Sequence, residues 1–162
     1  MGTTFDELGG SIYLANNGQL GQNVPQVRFQ KAIKTYRAIE KAVQAGLISA
    51  MHDVSEGGLA VALAEMAFAG GLGLTAFVKA VPYQGKRHRE DIVLFSESNS
   101  RLLVEVEPRH EKALKQALKG VAHAKIAAVE SSPEMMVYGF KDQIIINANI
   151  FDLKNIWQNP LR

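Results

Sequence analysis

His52-Asp53-Val54-Ser55-Glu56-Gly57-Gly58-Leu59-Ala60 is the stretch on which the fold turns, because it joins an extended run to a helix through two consecutive glycines. The residues before it, Leu47 to Val54, read as a short buried strand, and Leu59 to Ala69 as an almost wholly apolar helix closed by Gly70 and Gly71. At such a helix start the first backbone N–H groups lack intrahelical partners and the helix dipole is positive. Gly57 and Gly58 would let a phosphate approach the bare backbone there. Ser55 is the natural N-cap, and Asp53 can take Mg²⁺ or accept a hydrogen bond from a sugar hydroxyl. The same residues also make an ordinary helix cap, with glycines that permit close packing and His52 as a hydrogen-bonded strand-end residue. Locally both readings stand, and caps are the commoner of the two.

Working outward, the apolar positions Phe29, Ile33, Tyr36, Ile39 and Val43 recur every three or four residues and predict a helix from Val27 to Gly46. C-terminal to the glycine turn, strands are expected at Gly73 to Ala80 and Arg101 to Val106, separated by a loop through Pro82 to Arg89. A helix at Arg109 to Lys119 is started by Pro108. Strands near Lys125 to Val129, Met135 to Phe140 and Gln143 to Ile146 precede a short terminal helix that holds the only tryptophan, Trp157. Mixed strands with amphipathic helices predict a layered α+β fold, a mixed β-sheet covered by helices. Residues 1–25, rich in Gly and Asn, read as a lead-in or linker from a preceding domain, with the domain proper at 26–162.

Composition narrows the function classes. At 162 residues the chain has the size of one core. With no cysteine it has no disulfide, thiolate nucleophile or Cys-based zinc site, and its four histidines show no paired ligand spacing, so no dedicated metal centre is expected from the pattern alone. No apolar stretch reaches the roughly 20 residues that span a bilayer, and the first residues lack the order of a secretory signal, so a cytoplasmic protein without a membrane partner is expected. The net charge is only +2, and the KRHR cluster at 86–89 runs straight into Glu90 and Asp91 without interleaved aromatics. That argues for a solvated loop and against a nucleic-acid partner. His110 and His123 have no visible acid–base partner in the sequence.

A second polar cluster, LFSESNSR at 94–101, runs into the apolar strand LLVEV. Ser96, Glu97, Ser98, Asn99 and Ser100 stand at a strand entrance, where loop side chains can reach a ligand held by a rigid sheet. An Asx- or Ser-rich turn, with Arg101 as a solvated charge at the strand start, fits the same residues equally.

HDVSEGGLAVALAEMA followed by LFSESNSRLLVEVEP strongly resembles the C-terminal domain of the phosphoribosylformylglycinamidine synthase family, the large synthetase subunit of purine biosynthesis. DELGGSIYL at 6–14, the basic amphipathic helix before HDVSEGGL, and the FDLKNIW tail follow the family's order, so the resemblance spans nearly the whole chain. Aminoimidazole ribonucleotide synthetase and selenophosphate synthetase share the domain architecture, although their turns look less like HDVSEGGL. The resemblance implies an ATP- and Mg²⁺-dependent ligase that phosphorylates the amide oxygen of formylglycinamide ribonucleotide. Ammonia from a glutaminase subunit or domain then displaces the phosphate to form the amidine. It further implies a metal ligand at Asp53, and substrate or nucleotide contacts from His52, Ser55, Gly57, Gly58, Glu97, Ser98, Asn99, Ser100 and Arg101. Because full-length members pair two N-domains with two C-domains and carry the catalytic histidine elsewhere, the chain resembles the second C-domain alone. No catalytic residue and no turnover are then expected from it. The remaining synthetase domains are its implied partners. Two other readings are a non-catalytic interaction module and the C-domain of a related ATP-dependent synthetase.

Overall fold

The computed structural model describes residues 1–86 and 89–159, so Arg87 and His88 of the KRHR cluster lie outside the described residues. The helix predicted from Val27 forms as α2, Phe29–Gln44. It stops at Gly46, whose φ of 65° allows the Gly46 N–H to reach the Val43 carbonyl and the Leu47 N–H to reach that of Ala42. This pair of bonds is the Schellman arrangement, which satisfies carbonyls that the helix end would otherwise leave bare. The face it buries differs from the apolar periodicity. Ala32, Thr35, Ala38, Ile39 and Ala42 are buried, while Phe29, Ile33, Tyr36 and Val43 are exposed. Small side chains let α2 approach Leu114 and Leu118 closely, and the larger ones have no room there.

Two antiparallel strands, β2 (Ala50–Asp53) and β5 (Leu102–Glu105), correspond to the runs expected at 47–54 and 101–106. Their register pairs Ala50 with Glu105 and Asp53 with Leu102, and the Val54 N–H extends the ladder to the Arg101 carbonyl at 3.0 Å. The end of β2 therefore lies beside the beginning of β5. A turn leaving the first strand and a loop entering the second must meet.

Helix α3 (Gly58–Gly70) follows the glycine turn and is apolar on nearly every side, with Leu59, Ala60, Ala62, Leu63, Ala67 and Phe68 buried. It packs on a four-stranded sheet ordered β6-β3-β7-β8, formed by Ala127–Glu130, Gly73–Phe77, Glu134–Tyr138 and Ile144–Asn149. Strands β3 and β7 run parallel, and the other two pairs antiparallel. Leu74, Ala76, Met135 and Val137 face the helix as part of the main core. The terminal helix α6 (Ile150–Gln158) is capped by the Asn149 side chain, which accepts from the Phe151 N–H at 3.0 Å. The architecture is the expected α+β arrangement of mixed sheet and covering helices. Among the described residues no helix is long and apolar enough to cross a membrane.

Several elements depart from the periodicity. The strand expected to reach Ala80 ends at Phe77 and gives way to a 3₁₀ turn, Val78–Ala80. Pro108–His110 is likewise a 3₁₀ turn ahead of α5 (Glu111–Ala117). A helix of six residues, α4 (Glu90–Phe95), buries Ile92, Val93 and Leu94 where no helix was expected, since one and a half turns are too short to show a period. The segment read as a lead-in carries β1 (Thr4–Phe5), paired in parallel with β4 (Tyr83–Gln84), and the short helix α1 (Ile12–Asn16). Thr4, Glu7, Leu8 and Ser11 are buried, so this Gly- and Asn-rich stretch packs into the fold.

Candidate functional site

The register of β2 against β5 brings the HDVSEGG turn and the FSESNS loop together, and one hydrogen bond closes the join. The Gly57 N–H donates to Glu97 Oε1 at 3.0 Å across 40 residues of sequence. A backbone donor held by a carboxylate is worth more than a neutral pair, roughly 1.5–3 kcal/mol. Gly57 occupies the N-cap of α3 with φ 73° and ψ 0°, and Gly58 follows with φ 67°. Ser55 is therefore not the N-cap side chain; instead its carbonyl accepts from the Gly58 N–H at 3.0 Å. The bare face of Gly58 points at α4, where a Cβ would come within 2.6 Å of the Leu94 carbonyl oxygen. A Cβ on Gly57 would strike Val61 Cγ2 at 2.3 Å. The two glycines thus serve packing, as the cap reading requires, and the Gly57 N–H is already engaged.

The loop side chains alternate. Ser96 and Ser98, both fully buried, turn toward the DELGG segment. Ser96 Oγ accepts from the Glu7 N–H at 3.2 Å, and Ser98 Oγ accepts from the Phe5 N–H at 3.0 Å. Their hydroxyls substitute for the backbone acceptors of a neighbouring strand. Glu97 points the other way, to Gly57, while Asn99 is exposed. Ser100 adopts a left-handed φ of 62° and its Oγ accepts from the Tyr36 hydroxyl at 3.2 Å.

Arg101 is not a solvated charge. Only 4% exposed, it donates from Nε to the Ser98 carbonyl at 2.9 Å, from Nη1 to Thr4 Oγ1 at 3.0 Å, and from Nη2 to the Ser96 carbonyl. Burial lowers its pKa to about 10, and the Glu7 and Glu97 carboxylates pull it back upward, so it carries a full charge at neutral pH. Glu7, which the motif reading passed over as a site residue, is itself buried and pairs with Arg28 Nη2 at 2.8 Å. A buried charge anchored by its partners fixes the loop from behind. The guanidinium is spent on two backbone carbonyls and the Thr4 hydroxyl, so Arg101 positions the loop.

His52 and Asp53 stay in touch although they are neighbours on a strand, with His52 Nδ1 at 3.8 Å from Asp53 Oδ1. The imidazole of His52 faces α3, with Nε2 at 3.2 Å from Glu65 Oε2, and Glu65 Oε1 accepts from the Trp157 indole N–H at 3.0 Å. His52 is therefore drawn into a bridge between β2, α3 and α6. Asp53 is exposed, with 70% of its side chain open. Among the described residues no three His, Asp or Glu side chains converge as a metal site. Mg²⁺ commonly takes only one or two carboxylates and completes its shell with water and phosphate oxygens, so Asp53 suits one position of such a shell and no more.

The profile described as AIR synthase related protein, C-terminal domain, matches residues 1–138. The chain belongs to this family. Its relatives include the phosphoribosylformylglycinamidine synthase subunit PurL of Alkaliphilus metalliredigens, 34% identical over 100% of this chain and 21% of the relative. The PurL subunit of Deinococcus radiodurans is 35% identical over 97% of this chain and 21% of that protein. The domain thus spans about a fifth of the length of these relatives. Thermotoga maritima PurL complexed with FGAR superposes with a TM-score of 0.78 at 20% identity, over 94% of this domain and 26% of that chain. The ATP complex of the same protein gives 0.72 at 21% identity, over 93% and 24%. The hydrogenase maturation protein HypE in complex with ATP gives 0.59 at 18% identity, over 91% and 49%. The structural matches establish the shared fold.

Proposed function

We propose that this domain is the C-terminal part of a phosphoribosylformylglycinamidine synthase, acting in the ATP-dependent formation of formylglycinamidine ribonucleotide in the cytoplasm. The observation that carries the reading is the Gly57–Glu97 hydrogen bond, which unites the two motifs at one surface in a chain 34% identical throughout to a PurL subunit. The overall reaction consumes the amide, ATP and ammonia and yields the amidine, ADP and phosphate. Bound Mg²⁺ and ATP would supply an electrophilic phosphoryl group and neutralise the charge that develops on it.

Within this domain Asp53 would give one oxygen to the metal. The exposed Asn99 amide would orient a polar substrate, since it offers both donors and an acceptor. Glu97 and Arg101 hold the turn and the loop in place and leave the ligand to their neighbours. Among the described residues nothing at this surface pairs a nucleophile with a base, which supports a binding role here, with the chemistry completed by the remaining synthetase domains and ammonia delivered by a glutaminase partner.

Calorimetric titration of the 162-residue chain with Mg²⁺-ATP and with formylglycinamide ribonucleotide tests this reading. Saturable binding, weakened about tenfold by Asp53→Ala or Asn99→Ala, is expected from the loss of one metal oxygen or one substrate hydrogen bond respectively. Unchanged affinity in both variants would refute the assignment. Formation of amidine by the chain with ATP and ammonia would refute its non-catalytic role.

A second reading has its own support. Gly57, Gly58, Ser96, Ser98 and Arg101 all spend their polar or bare faces inside the domain. A pure interaction module would need no more than that, and it predicts no heat with either ligand.

A further inference from the structure

Helix α2 carries two apolar faces and buries only one of them. Ala32, Ala38, Ile39 and Ala42 are spent inside the domain, where Leu114 and Leu118 join Ala38 and Ala42 in one cluster. On the other side Phe29, Ile33, Tyr36 and Val43 stand from 45% to 72% exposed. With Glu40 they follow one another at intervals of four, three, four and three residues, so they form a single stripe about 21 Å long. Exposed apolar residues scattered singly need no partner, whereas a continuous row of four marks an interaction surface. An alternation of four and three is the seam that one helix offers another.

The two borders of the stripe are unlike. On one side Ala32 and Ile39 sink into the domain, which closes that border to a partner. On the other stand Lys34, Arg37 and Lys41, exposed and spaced three and four residues apart, so they share a ridge. Among the described residues no carboxylate lies within ion-pair distance of these three cations. Glu40 is the one charge inside the stripe itself. The Tyr36 hydroxyl donates to Ser100 Oγ at 3.2 Å, which holds its ring in place before anything binds.

These features select the occupant. A second copy of the chain laid antiparallel along the stripe would set Arg37 against Arg37, and a parallel one would need the border that is already buried. Permanent interfaces are depleted of charge at their centre, yet here Glu40 stands in the middle, and a contact one helix wide belongs with the small interfaces of transient complexes.

We infer that the outer face of α2 reversibly docks a separate subunit, which presents an amphipathic helix with an acidic border for Lys34, Arg37 and Lys41 and one cation for Glu40. This goes beyond the ligand reading at 52–58 and needs neither ATP nor substrate to be bound there.

The test is fluorescence anisotropy of the 162-residue chain with a labelled synthetic helix of about three heptads. The helix has leucine along its seam, one central lysine in that seam, and glutamate on both borders to keep it from pairing with itself. A twin with lysine borders and a central glutamate is the control. The acidic helix should bind saturably and the basic twin at least about tenfold more weakly, with the gap narrowing as salt is added. Ile33→Asp, its fold verified by circular dichroism, should abolish binding, whereas Phe151→Asp on the exposed side of α6 should leave it unchanged. Lys34→Glu combined with Arg37→Glu should reverse the preference between the twins. No binding of the acidic helix, equal binding of both, a preference that survives the double reversal, or indifference to Ile33→Asp would overturn the proposal. So would sedimentation in which the chain alone dimerises until Ile33→Asp is introduced, which assigns the face to a second copy. Pelleting with phosphatidylserine vesicles that Ile33→Asp abolishes would assign it to a membrane and overturn the proposal as well.

Discussion

Replacing Arg101 by methionine keeps the bulk of the side chain and removes its charge and its fork of donors. Three buried acceptors, the Ser98 carbonyl, Thr4 Oγ1 and the Ser96 carbonyl, then lose their partner. Each costs about 1–3 kcal/mol when left unsatisfied, so the gross loss is roughly 3–9 kcal/mol. Against it stands the relief of desolvation. Burial lowers the Arg101 pKa to about 10 even against the pull of Glu7 and Glu97, a net fall worth roughly 3 kcal/mol that the buried cation no longer costs. The net destabilisation is therefore about 3 kcal/mol, or roughly 6–12 °C in Tm for a chain of this length. Urea denaturation followed by circular dichroism measures it directly. Arg101→Lys should recover less than half, because an ammonium cannot span the two carbonyls and the hydroxyl together. A midpoint for Arg101→Met within about 0.5 kcal/mol of wild type, the range of an ordinary surface change, would refute the reasoning. Full rescue by lysine would refute the part that depends on the fork.

Two further outcomes follow from the glycine turn and from α4. Gly58→Ala places a Cβ 2.6 Å from the Leu94 oxygen at a φ of 67° and should cost about 2–4 kcal/mol in the same denaturation assay, whereas Gly10→Ala, with φ 76° and open space around it, should cost only about 1 kcal/mol. Glu90 is held below its usual pKa by hydrogen bonds from its own backbone N–H and that of Phe140. Burial would raise the Asp91 pKa, but the bond and charge of Arg89, with the Tyr13 hydroxyl, bring it below the ordinary value. Both folded pKa values are depressed, so the stability these groups contribute is complete above their unfolded values of 4.5 and 3.8 and is lost as pH falls through the folded ones. Glu90→Gln with Asp91→Asn should flatten the acid limb of a stability-versus-pH curve below about pH 4.5, which urea midpoints taken across that range would reveal.

The parts of the fold that were legible are those whose local signals agree. Gly46 and Gly71 stop α2 and α3 with left-handed backbone, and the apolar run from Leu59 has no alternative to burial. What escaped is either short or distant. Helix α4 and strand β1 hold six and two residues, too few for a helical or strand period to repeat and declare itself. On α2 the spacing of large apolar residues gave the helix, yet of those five residues only Ile39 is buried, because alanines decide which side can come close. At the site, the two motifs marked the right neighbourhood, yet single residues were harder to read. Arg101 looks like any strand-start cation until Thr4, 97 residues away, closes over it. Ser55 has the chemistry of a cap but loses the position to Gly57, which alone accepts φ 73° without strain. His52 carries no sequence sign of Glu65, which claims it, or of Trp157, which holds Glu65 in turn.

A carboxylate that grips a backbone N–H also remains a base and a ligand. Glu97 commits Oε1 to the start of α3. Whatever competes for that oxygen, a cation or a donor on an incoming molecule, must loosen the first turn of a helix whose Leu59, Ala62 and Leu63 lie in the main core. By reciprocity, anything that settles α3 against the sheet holds Glu97 on the Gly57 N–H and weakens its binding of other partners by the same factor. Two stretches of sequence 40 residues apart are thereby made into one thermodynamic unit, in which occupancy at the loop is felt as order in the helix.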